Sequence, residues 1–139
     1  MTFAEWAAFY DKKNPEDPFS PTPGYDLYFM PDKGFCEVRF TETMAIIAQT
    51  AGDGRFFRDK VEDVARKIGI KEGGTICIRK EIRAYIRLFG YRVEREEKLP
   101  DGEIRYHARH KKTGKWLRAS PMFRYKGSGE LAYGVTWEI

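Results

Sequence analysis

The stretch from Met44 to Ile68 constrains the fold more than any other. It opens with the apolar run Met44-Ala45-Ile46-Ile47-Ala48, passes through Gln49-Thr50-Ala51-Gly52-Asp53-Gly54-Arg55, and continues with helical periodicity from Phe56 to Ile68. An unbroken apolar run of this length reads as a central strand, buried on both faces. Phe57, Val61, Val64, Ala65 and Ile68 then recur on one helical face, with Asp59, Glu62, Asp63, Arg66 and Lys67 on the other. Gly69 ends the helix, and Thr75-Ile76-Cys77-Ile78 supplies a second short apolar strand. Strand, helix and strand in that order make a crossover unit, with the two strands parallel. Glycines at the strand-to-helix turn let the backbone approach a phosphate closely. The helix N-terminus behind them offers N–H groups and a favourable dipole. The same glycines also suit a plain turn with Asp53 as helix cap.

The segments on either side extend the sheet. Thr2 and Glu5 fit a capping box, and Phe3, Trp6, Ala7 and Tyr10 form one face of a short helix ending near Lys13. Pro15, Pro18, Pro21 and Pro23 then exclude helix and central strand, so residues 14–24 form an extended arm that Phe19 can tack onto the core. Tyr25 to Met30, a turn at Pro31 to Gly34, and the alternating Phe35 to Thr41 add two strands, giving a meander with the Met44 strand. Lys80 to Phe89 reads as a helix stopped by Gly90, with Ile82, Tyr85, Ile86 and Phe89 toward the core. The remainder is hairpin-rich, with turn residues at Pro100 to Gly102, Thr113-Gly114 and Gly127 to Gly129.

The chain of 139 residues, 42% of them apolar, suits one folded domain and excludes a disordered chain. No apolar run approaches membrane-spanning length, and residues 1–24 lack a signal-peptide pattern, so a cytoplasmic protein with no membrane partner is expected. Cys36 and Cys77 lack metal-ligand spacing and read as buried thiols. His107 and His110 have no completing ligand set, so no metal is assigned. The formal charge of +4 is unevenly spread: residues 79–126 hold 15 Lys and Arg against 6 Asp and Glu. That clustering points to an anionic partner, or to a solvated surface that keeps the protein soluble.

Meander strands, glycine turn, helix, strand, and a short helix ending in Phe89-Gly90-Tyr91 occur in the order of the GNAT superfamily of acyl-CoA N-acyltransferases. Gln49-Thr50-Ala51-Gly52-Asp53-Gly54 resembles that superfamily's pyrophosphate loop. Ala84 to Tyr91 is similar to its late helix-to-strand segment. The resemblance covers roughly residues 25–110. It implies an α/β (α+β) fold: a mixed, largely antiparallel sheet around a central strand-helix-strand crossover. Residues 1–24 form a helix and proline-rich arm, 25–110 the core, and 111–139 a C-terminal β-hairpin extension of a single domain. It also implies binding of acetyl-CoA or another acyl-CoA through Gln49, Thr50, Ala51, Gly52, Asp53, Gly54 and Arg55, with Arg58 adding charge in the first helical turn. Direct transfer of the acyl group to a primary amine would follow, with a backbone N–H of the Met44 strand polarising the carbonyl. Tyr85, one residue from the superfamily's usual position, is the candidate acid; its plain role is core packing. Glu37 and Glu42 are candidate bases acting through water. The acceptor, a small molecule or a protein, is left open, as is a homodimer.

A second class of function competes. Lys80, Arg83 and Arg87 form a basic stripe at helical spacing, and Arg105, His107 and Arg109 share one strand face. With Tyr106, Trp116, Phe123 and Tyr125 close in sequence, they suit a module that binds nucleic acid or protein without chemistry. A catalytically inactive GNAT-like accessory protein, such as one from a mobile element, is the third reading.

Overall fold

The computed structural model describes residues 1–78 and 81–139. The chain divides into two compact units, Met1–Lys71 and Glu72–Ile139. The boundaries expected after residues 24 and 110 fall inside these units.

The first unit starts with helix α1, Phe3–Lys13. Its capping box forms as the sequence requires: Glu5 N–H donates to Thr2 Oγ1 at 3.2 Å, and Thr2 N–H donates to Glu5 Oε1 at 3.0 Å. Three strands follow, β1 (Asp26–Met30), β2 (Gly34–Phe40) and β3 (Met44–Gly52), in the expected antiparallel meander. Phe35 of β2 is fully buried, with Phe3, Tyr10 and Phe19 around it at ring-centre distances of 5.3, 5.9 and 4.9 Å. Phe19 thus holds the proline-rich arm to the core. Cys36, beside it, is free and buried, and loss of water around the thiol pushes its pKa up to about 11. It is a protonated core thiol at neutral pH.

Helix α2, Gly54–Lys67, closes the first unit. Its inward stripe differs from the expected one. Phe57, Arg58, Val61 and Ala65 are buried, while Val64 is 39% and Ile68 57% exposed. The helix is rotated so that Arg58 faces inward, and the expected apolar stripe loses its trailing edge to solvent. A long side chain can bury its methylene stem while its head seeks a polar partner, which makes an inward Arg tolerable.

The second unit comprises β4 (Glu72–Ile78), α3 (Ile82–Leu88), β5 (Tyr91–Lys98), β6 (Ile104–His110), β7 (Trp116–Arg124) and β8 (Leu131–Glu138). Its strands lie in the order β4-β8-β7-β6-β5, and every adjacent pair is antiparallel. The C-terminal extension, residues 111–139, supplies β7 and β8, and β8 lies between β4 and β7, so the extension completes the sheet of this unit. Val93, Ala108, Leu117, Trp137 and Gly73 line up across the five strands on one face. Leu117 and Trp137 are 1% exposed there. Helix α3 packs against β5 on this side, with Ile82 and Ile86 buried. Alternation along each strand sends the opposite set of side chains to the other face. Lys80, expected in the basic stripe of α3, lies outside the described residues; Arg83 and Arg87 are exposed on that helix.

Candidate functional site

The expected phosphate loop is mostly strand. Gln49, Thr50, Ala51 and Gly52 belong to β3, with Thr50 paired to Cys36, Ala51 to Phe35 and Gly52 to Gly34. Only Asp53 separates β3 from α2. Gly52 has φ +94°, and a side chain there would place its Cβ 2.0 Å from the Lys33 carbonyl oxygen. The glycine is therefore demanded by the close approach of two strands. Asp53 N–H donates to that same carbonyl at 2.8 Å. The Asp53 carboxylate accepts from Phe56 N–H at 3.0 Å and lies 3.8 Å from Lys33 Nζ. It is a regular N-cap that occupies the first turn of α2. Arg55 is exposed, whereas Arg58 is 5% exposed and faces the core. The two arginines do not form the joint cationic pair expected of them.

Two other candidates are bound to each other. The register of β2 on β3 shifts between Cys36 and Val38, so Glu37 faces a bulge at Ala48 and Gln49. Glu37 is 2% exposed. Its carboxylate accepts from Thr22 N–H at 2.8 Å, Thr22 Oγ1 at 2.7 Å and Gln49 Nε2 at 2.8 Å. Gln49 also donates to the Ser20 carbonyl at 2.6 Å and accepts from Ser20 N–H at 3.3 Å. Glu37 and Gln49 thus latch the proline-rich arm onto the sheet, and a carboxylate so occupied is poorly placed to activate an amine. Replacing Glu37 by Ala removes the acceptor of three part-buried hydrogen bonds from Thr22 and Gln49 and should cost about 2 kcal/mol. Glu37→Gln should recover part of that loss. Urea unfolding measures both, and faster proteolysis within residues 14–24 would report release of the arm.

Glu42 is exposed in the β2–β3 turn. Tyr85 is half-buried in α3, its ring centre 4.8 Å from that of Phe89, which fits packing. Tyr85 stands in the second unit, and the other candidates for catalysis and cofactor binding stand in the first.

The outer face of the second unit concentrates charge. Arg105, His107 and Arg109 of β6 alternate onto it, as their spacing requires, and span about 13 Å along the strand. The register sets Arg95 of β5 and Arg118 of β7 directly beside His107. The four arginines form a cross centred on His107, whose transverse arm spans roughly 10 Å. Sequence reading found the β6 arm but not Arg95 or Arg118, because cross-strand neighbours depend on register. An open groove of 570 Å³ runs over this face, with Trp116 at its end. The Arg118 guanidinium lies 5.7 Å from the Trp116 ring centre.

Two carboxylates interrupt the cross. Glu97 meets His107 Nε2 at 2.9 Å and Arg105 at 3.4 Å, and Glu94, turned onto the face by a bulge in β5, meets Arg109 at 3.1 Å. Donation by His107, reinforced by Arg105 and Arg95, holds the Glu97 carboxyl below its usual range. His110, the other histidine, accepts backbone N–H groups of Lys112 and Thr113 in the β6–β7 turn. Among the described residues, no cluster of three or more His, Cys, Asp or Glu is arranged for a metal ion, and no helix is long and apolar enough to cross a membrane. Compared with known proteins, the chain matches no family model, no curated protein and no solved structure.

Proposed function

We propose that this protein is a binding module whose second unit holds a polyanion on the cationic face of β5, β6 and β7. The observation that carries the reading is the cross of Arg95, Arg105, His107, Arg109 and Arg118 over an open groove. Arginine suits the role, because its planar fork grips anionic oxygens with two N–H groups and stays charged at any physiological pH. An open, solvent-facing groove also leaves an extended ligand room to lie across several strands.

A second reading, an acyl-CoA-dependent N-acyltransferase passing acetyl from acetyl-CoA to a primary amine, is favoured by one specific feature. The bulge in β3 at Ala48 and Gln49 leaves a backbone group outside the β2 ladder on the strand that leads to Gly52 and α2. Such a group could polarise a thioester carbonyl. Glu42, exposed in the same unit, would then serve as the base through water, and Arg55 would supply charge toward the cofactor phosphates.

One titration series separates the two. Intrinsic fluorescence and calorimetry with heparin and with acetyl-CoA, each at several salt concentrations, should show heparin binding that weakens steeply with salt, as release of counterions from a polyanion requires. Arg95→Glu/Arg118→Glu should lower that affinity at least about tenfold while leaving the fold intact, because both side chains are exposed. Saturable acetyl-CoA binding, lost in Arg55→Glu and retained in the double variant, would instead establish the second reading.

A further inference from the structure

We infer that the polyanion is a single-stranded nucleic acid, with a base stacked at Trp116 and the backbone lying across the arginine cross. The inference rests on the polyanion reading and narrows it. Three observations distinguish an unpaired strand from a plain polyanion. Trp116 is half-exposed on the same face as the cations, and β7 carries Arg118 over its ring. Flat aromatic and guanidinium groups accept any base by stacking, and this needs a base that is not already stacked inside a duplex.

The second observation is the pair of carboxylates. Glu94 and Glu97 sit within the cationic array and are bridged to it. For a ligand made only of phosphates or sulfates they are a liability, because they repel it and consume cations. An unpaired base presents N–H donors on its Watson–Crick edge, which a carboxylate accepts. The same two groups that weaken binding to a plain polyanion therefore give an exposed base its hydrogen-bond partners.

The third observation is shape. The groove lies on an open antiparallel sheet, between Glu94, Arg95, His107, Arg109, Trp116 and Arg118, with strand backbone at Ala108 and Leu117 beneath. A single strand can flatten itself on such a surface and present phosphates and bases to it together. A duplex offers a convex row of phosphates with its bases turned inward, so Trp116 and the carboxylates would find no partners.

The test uses the full chain and fluorescein-labelled 12-residue oligonucleotides of mixed sequence, as DNA and as RNA, each single-stranded and duplexed, with heparin as competitor. Anisotropy at fixed salt should show the single strands binding about tenfold or more tighter than the duplexes. Preference between the DNA and RNA oligonucleotides identifies which of the two sources supplies the ligand. Trp116→Leu, which keeps apolar bulk, should lose about tenfold on single strands and little on heparin, whereas Trp116→Phe should retain most of the affinity. Equal binding of single strand, duplex and heparin, with no change in Trp116→Leu, would overturn the single-strand inference and leave the polyanion reading standing. No binding of any polyanion, with Arg95→Glu/Arg118→Glu equal to wild type, would overturn both.

Discussion

Gly52→Ala should be among the most damaging single-methyl changes in this chain, lowering stability by about 4 kcal/mol or more. The added Cβ falls 2.0 Å from the Lys33 carbonyl oxygen and 2.9 Å from its carbon, both backbone atoms of the turn that leads into the facing strand β2. No rotamer relieves such a contact. The backbone at φ +94° is itself strained for an L side chain, a cost of order 1–3 kcal/mol before the clash is counted. Gly34 faces Gly52 with the reciprocal contact, its own Cβ falling 1.9 Å from the Ala51 carbonyl oxygen, so Gly34→Ala should behave alike. Urea unfolding of the two variants checks this; a loss below about 1 kcal/mol in both would show that the paired glycines are not needed for close strand approach. The result bears on function too. Any change at Gly52 unfolds β3, so loss of cofactor binding there would say nothing about a phosphate site. Arg55, exposed and outside the strand pair, is the position that isolates that question.

Trp137→Ala should cost about 3–5 kcal/mol, the usual range for deleting a buried aromatic side chain. The indole is 1% exposed, faces Gly73 on β4 and Leu117 on β7, and lies so flat on Gly73 that a Cβ there would come within 2.3 Å of it. Removing it opens a cavity between three strands that backbone cannot fill. Trp137→Phe should cost less, because a ring remains in the slot. Chemical denaturation gives the magnitude. Trp137 points away from the cationic face, so Trp137→Phe should bind the single-stranded oligonucleotide as wild type does. That contrast with Trp116→Leu separates loss of the platform from loss of the fold.

Local structure was legible where local chemistry decides it. The capping box at Thr2, the proline-rich arm anchored by Phe19, the meander of β1 to β3 and the alternation of Arg105, His107 and Arg109 all follow from spacing alone. Glycine was ambiguous, because positive φ in a loop and close approach of two strands select the same residue. Gly52 serves the second need. Glu37 was legible as a strand carboxylate, but its partners Thr22 and Gln49 arrive from distant segments, and no spacing rule announces them. The same limit hid Arg95 and Arg118. Their meeting with His107 depends on the order and register of β5, β6 and β7, which long-range packing chooses.

The position of β8 sets a timetable for synthesis. β4 emerges from the ribosome ahead of α3, β5, β6 and β7, and its antiparallel partner in the second unit emerges only after them. At about 5–20 residues per second, the edge of β4 that β8 will cover waits several seconds, as an unpaired template. β7 carries a second open edge until the same strand arrives. A nascent chain halted before Leu131 would thus expose two sticky borders at once, so premature termination there should yield aggregates or chaperone clients rather than a smaller folded unit.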